Sequence, residues 1–89
     1  MRRDFKRLPS VKISYDRQGM IFFTCRNYRN LPEREKRRIR ALCDRVGGEN
    51  ADALFAFMTT DISWQQTCAD FYISERTLVR LRKAFYESW

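Results

Sequence analysis

The stretch Ser63-Trp64-Gln65-Gln66-Thr67-Cys68-Ala69-Asp70-Phe71-Tyr72-Ile73-Ser74-Glu75-Arg76-Thr77-Leu78-Val79-Arg80-Leu81 decides the fold of this chain. It holds two helix starts in close succession. Ser63 followed by Gln66 has the form of a capping box, in which the Ser hydroxyl accepts a backbone N–H of the first turn. Ser74 repeats the N-cap, and Glu75 places a carboxylate against the positive end of the next helix dipole. Trp64, Cys68 and Phe71 recur at i, i+4, i+7 and give the first helix an apolar side; it is expected over 64–71. Leu78, Leu81 and Phe85 do the same for the second, expected over 75–88.

Two short helices joined by about three residues have the geometry of a helix-turn-helix. That geometry needs a small residue in the first helix where the second crosses it, and Cys68 or Ala69 fits. It needs an apolar plug in the turn, which Ile73 supplies. The second helix must turn Leu78 and Leu81 inward and a polar, basic face outward, here Arg76, Arg80 and Lys83. Tyr72 stands in the turn where many such units have Gly, so the sequence predicts a negative-φ turn variant or a longer approach to the second helix.

Upstream, the helical period continues. Ile39, Leu42, Cys43 and Val46 recur at i, i+3, i+4, i+7 within a basic helix expected over 33–46, with Asn30 as its N-cap and Pro32 near its first turn. Gly47-Gly48 stops it, because Gly takes the left-handed C′ conformation cheaply. Ala51, Leu54, Phe55 and Met58 mark a further helix over 50–59, with Phe57 also assigned to the core, and Thr59-Thr60-Asp61-Ile62 ends it.

The first third reads differently. Val11-Lys12-Ile13-Ser14-Tyr15 alternates apolar and polar residues, Asp16-Arg17-Gln18-Gly19 reads as a turn, and Met20 to Cys25 is a second β-prone run. The expectation is a β-hairpin over 11–26 packed on the helices, preceded by a basic arm over 1–10. The fold class predicted is therefore mostly α with a small N-terminal β-hairpin and four helices, within a single domain.

Composition bounds the function. The chain has 89 residues, 18 Lys+Arg against 11 Asp+Glu, a net charge of +7 and no His, with 44% hydrophobic and 15% aromatic residues. The apolar supply argues against disorder. A basic domain without His, without a Gly-rich phosphate loop, without a nucleophile beside a base and without paired carboxylates argues against an enzyme and for binding a polyanion. The charge is uneven: +6 over 1–31, +3 over 32–48, −3 over 49–63 and +1 over 64–89. Cys25, Cys43 and Cys68 are odd in number and widely spaced, which argues against a disulfide framework or a zinc site and for plain thiols. No cofactor is expected. No apolar run approaches the length of a membrane span, and a cytoplasmic location is expected.

Ile73-Ser74-Glu75-Arg76-Thr77-Leu78, continued by Arg80-Leu81-Arg82-Lys83, resembles the recognition-helix stretch of sigma-factor region-four-type and phage transcriptional-regulator helix-turn-helix domains. Their pattern is an apolar residue, Ser, two variable residues, Thr, an apolar residue, any residue, Arg and an apolar residue. The whole chain resembles short proteins of phages and conjugative elements of Firmicutes. In those, a Lys-Ile-Ser-Tyr-Asp-Arg-Gln-Gly hairpin, here residues 12–19, precedes a basic helix and such a C-terminal unit. The resemblance implies sequence-specific binding of double-stranded DNA by a small regulator or accessory factor of a mobile element, with helix 75–88 in the major groove.

The same resemblance assigns roles. Arg76 is a candidate for a bidentate contact to guanine, Glu75 for a cytosine amine, Thr77 for a phosphate or a thymine methyl, and Arg80 for a base or phosphate contact. Ser63, Gln65, Gln66, Arg82 and Lys83 are phosphate candidates, the first three at a helix N-terminus. Arg37, Arg38 and Arg40 of the basic helix and Lys12 and Arg17 of the expected hairpin are further phosphate candidates. A chain this short reads few base pairs, which favours a homodimer or a second DNA contact. Two rival readings remain open at this point. A protein adaptor, for RNA polymerase or another partner, would present Phe57, Tyr72, Tyr86 and Trp89 as exposed aromatics. An RNA binder would stack bases on Tyr15, Phe22 and Phe23 of the hairpin.

Overall fold

The computed structural model describes residues 8–89. Of the expected N-terminal arm, Arg2, Arg3, Lys6 and Arg7 lie outside the described residues. Five α-helices follow one another: α1 (Tyr15–Arg26), α2 (Glu33–Gly47), α3 (Ala51–Thr59), α4 (Trp64–Phe71) and α5 (Glu75–Ser88). Single 3-10 turns at Tyr28–Asn30 and Gly48–Asn50 link α1 to α2 and α2 to α3.

The four helices expected from the sequence are present, and the expected β-hairpin is not: among the described residues there is no strand. Residues 15–26 form α1 instead. Ser14 caps it, its Oγ accepting the Arg17 N–H at 3.2 Å, and Asp16 sits in the first turn. Asp16 to Gly19 is the start of a helix, not a turn. The buried residues are Gln18, Ile21, Phe22 and Cys25, a helical i, i+3, i+4, i+7 set. That set escaped the sequence reading because Gln18 is polar, while Tyr15, Met20 and Phe23 on the outer face are apolar and exposed.

Gln18 is wholly buried, and its amide holds the preceding segment. Its Oε1 accepts the Leu8 N–H at 2.9 Å, and its Nε2 lies 3.1 to 3.4 Å from the carbonyls of Leu8, Val11 and Ile13. A buried amide that meets several backbone groups satisfies what burial would otherwise leave unpaired. Pro9 leads a turn closed by Val11 N–H to the Leu8 carbonyl at 3.0 Å, and Val11 is buried.

Asn30 is not the N-cap of α2. Pro32 holds that position without a side-chain cap bond, and Asn30 donates to the Asn27 side chain at 2.8 Å. Gly48 ends α2 at φ +54°, as the Gly-Gly pair predicts. α3 carries one charged residue, Asp52, and packs against α1, α2, α4 and α5, as befits a helix that is apolar nearly all round. Leu54, Phe57 and Met58 of α3 meet Ile21 and Cys25 of α1, Ile39, Leu42 and Cys43 of α2, and Leu78, Leu81 and Phe85 of α5 in one core. The Thr59 and Thr60 hydroxyls donate back to the Phe55 and Ala56 carbonyls and close α3. Arg26 and Asp61 form an ion pair that ties the end of α1 to the loop before α4. Burial pushes the Cys25 and Cys43 thiols up to about 12, so both are neutral core residues near neutral pH. No helix of the described residues is long and apolar enough to cross a membrane.

Candidate nucleic-acid interface

Both capping serines act as the sequence predicts. Ser63 Oγ accepts the Gln66 N–H at 3.0 Å and Ser74 Oγ accepts the Thr77 N–H at 3.2 Å. The residue of α4 buried against the core is Thr67, a position the apolar spacing did not single out. Its hydroxyl donates to the Ser63 carbonyl at 2.8 Å, which removes the cost of burying it. Cys68 is half-buried and Ala69 is exposed. Ile73 is buried as the plug of the turn. Tyr72 itself takes the left-handed conformation, φ 54° and ψ 45°, so the expected negative-φ variant is not the one used.

Trp64 braces the two-helix unit. Its ring packs edge-on against Phe57 of α3 at 5.4 Å, and its Nε1 donates to Glu75 Oε1 at 2.8 Å. The Arg82 guanidinium lies 5.0 Å from the centre of the same ring. One indole therefore ties the start of α4 to the first and third turns of α5. Glu75 and Arg82, candidates for base and phosphate contact, are spent in this brace. Burial lowers the Arg82 pKa from its usual value, the sign of a guanidinium withdrawn from water.

Other candidates are also engaged. Gln66 donates to Asp70 at 2.6 Å. Thr77 is half-buried and accepts from the Ser74 hydroxyl at 2.9 Å. Lys83 pairs with Glu87 at 3.3 Å, and Glu87 also accepts the Lys12 backbone N–H at 2.9 Å. Those contacts hold the Glu87 carboxyl below the usual range, the Lys12 N–H contributing most. Arg38 stacks 4.3 Å over the Trp89 ring and donates to the Trp89 carbonyl at 3.2 Å. Arg40 pairs with Asp52 at 2.6 Å and Asp44 at 3.2 Å. The Asp52 hydrogen bond is the main reason its pKa is raised.

Arg76 and Arg80 stand apart. Both are exposed on α5, and neither forms an ion pair or side-chain hydrogen bond with any described residue. They lie one helical turn apart, about 6 Å along the axis, on the face opposite Leu78, Leu81 and Phe85. Gln65 is exposed in the first turn of α4, and Arg17 is exposed on α1. On α2, Arg37 is exposed without a described partner, and so are Arg34 and Arg45. Helical spacing puts all three on the face opposite Ile39 and Cys43. Charge counting alone could not separate these three from Arg38 and Arg40, whose partners, Trp89 and Asp52, come from other elements.

Phe57 is buried, as its assignment to the core predicts, and of the other aromatics that the adaptor reading would expose Tyr86 is buried and Trp89 half-buried, leaving Tyr72. Tyr15, Phe22 and Phe23 lie on a helix, and Phe22 is buried, so no sheet presents them for stacking. Comparison with protein-family models, with curated proteins and with solved structures returns no match to this chain.

Proposed function

We propose that this chain binds duplex DNA through α5, whose N-terminal half enters the major groove and reads sequence with Arg76 and Arg80. The observation that carries this reading is the pair of exposed arginines, free of described partners, on the outer face of a capped and braced second helix. Arg82 and Lys83 nearby have partners within the fold, and these two have none among the described residues. A planar guanidinium near the N-terminus of such a helix suits the paired acceptors of guanine. Arg34, Arg37 and Arg45 of α2 supply phosphate contacts that are independent of sequence. A role as a transcription regulator or accessory factor of a phage or other mobile element is supported by the resemblance of residues 73–83. Two copies on half-sites about one DNA turn apart would extend so short a reading head.

The test is a fluorescence-anisotropy titration against a duplex at several salt concentrations. The logarithm of affinity should fall with the logarithm of salt by roughly 0.9 per phosphate neutralised. Replacing Arg34, Arg37 and Arg45 together with Gln should flatten that slope by about 2 to 3. Binding that does not change with salt overturns the proposal.

A further inference from the structure

Tyr72 is the only non-glycine residue among those described with a positive φ. The backbone has a reason for the conformation. The N–H groups of Tyr72 and Ile73 both donate to the Cys68 carbonyl, a Schellman-type ending that drops Ile73 into the core. Gly or Asn serves that geometry at less cost, because the left-handed region presses a Cβ against the carbonyl oxygen. The side chain gains little from the described residues. It is 96% exposed, the highest value among the exposed large hydrophobic residues, and makes no hydrogen bond or ring contact with any described residue. A residue that strains the backbone and gains no hydrogen bond or ring contact among the described residues points to a contact outside them.

We propose that Tyr72 is a DNA-contacting residue whose phenol O–H donates to a phosphate oxygen at the rim of the groove entered by α5. The inference rests on the DNA reading of α5. Position argues for phosphate: Tyr72 lies in the turn, before the Ser74 cap and the first turn that carries Arg76. Tyrosine is among the side chains that bond DNA phosphates. The contact is neutral, so it adds affinity without displacing a counterion, unlike the arginines.

Three variants test it: Tyr72→Phe, Tyr72→Gly and Tyr72→Asn. Each is melted by circular dichroism and titrated against a mixed-sequence duplex of about two helical turns. Tyr72→Gly and Tyr72→Asn should melt at or above the temperature of the parent protein and bind about 5 to 10 times more weakly. Tyr72→Phe should bind about fivefold more weakly, with the salt slope unchanged. Binding of all three within about twofold of the parent overturns the proposal and leaves the DNA reading standing. A clear fall in the melting temperature of Tyr72→Gly also overturns it, because the side chain would then support the fold. Failure of the parent itself to bind DNA is a failure of the functional reading.

Discussion

α1 and the α4–α5 unit use their side chains in opposite ways. α1 buries an amide, Gln18, and exposes Tyr15, Met20 and Phe23. α5 buries Leu78, Leu81 and Phe85 and exposes Arg76 and Arg80. In α5 the buried residues Leu78, Leu81, Phe85 and Tyr86 are all apolar and recur at helical spacing, with Val79 the one large apolar side chain exposed, so periodicity reveals the helix. In α1 the apolar and the buried sets differ, because the segment before it is held by hydrogen bonds to an amide and not by apolar contact alone. A helix whose anchor is polar has little amphipathic signature, and its β-branched and aromatic residues then imitate a strand. The contrast extends to the polar side chains: α1 anchors the preceding segment through Gln18, and α5 leaves Arg76 and Arg80 exposed.

The largest effects should separate those two roles. Gln18→Ala removes a buried amide, opens a cavity and strands the N–H and carbonyls of residues 8–13, at a cost of about 2 to 4 kcal/mol. Thermal melting should shift down by roughly 10 °C or more; an unchanged midpoint would place the anchor elsewhere. Arg76→Ala with Arg80→Ala should leave melting within about 0.5 kcal/mol of the parent. The same pair should lower affinity for a preferred DNA site about 100-fold, at roughly 1 to 3 kcal/mol per bidentate contact. A pair that unfolds the protein would erase the contrast.

Capping sharpens it at a smaller scale. Ser14→Ala and Ser74→Ala should each cost about 1 kcal/mol, read by urea denaturation. The Ser14 result bears directly on residues 15–26, since a hairpin there would lose nothing at an unstructured cap. The smallest effect belongs to Glu87. Its carboxyl titrates below its ordinary value, so its contribution is full above about pH 4.5 and is lost as pH falls through its folded value. Glu87→Gln should therefore lower the melting temperature slightly at pH 7 and match the parent in strong acid. An equal difference at both ends would assign the effect to something other than this carboxylate.

Much of the C-terminal half was legible in the sequence. Ser63 and Ser74 cap as their positions predict, Ile73 plugs the turn, and Gly48 stops α2. The helix starts are local chemistry, and local chemistry is written within a few residues. Local pairs such as Arg40 with Asp44 lie within one helix, but the further partners of Glu75, Arg82, Arg38 and Arg40 were not legible, because they come from across the fold. Trp64 to Glu75 and Arg82, Arg38 to Trp89 and Arg40 to Asp52 become visible only when helices are packed. Thr67 was missed because its hydroxyl is satisfied by its own helix, which lets a polar residue occupy a core position. Tyr72 was seen as an anomaly, but its φ follows from the Cys68 carbonyl accepting two N–H groups.

The central claim is that α5 reads DNA with Arg76 and Arg80, and selection of bound duplexes from a random-sequence library tests it most directly. The account predicts enrichment of a short motif containing guanine by the parent protein, and loss of preference at one position with Arg80→Ala while binding to unselected DNA persists. No enrichment by the parent, or the same motif at the same strength with Arg80→Ala, would contradict it.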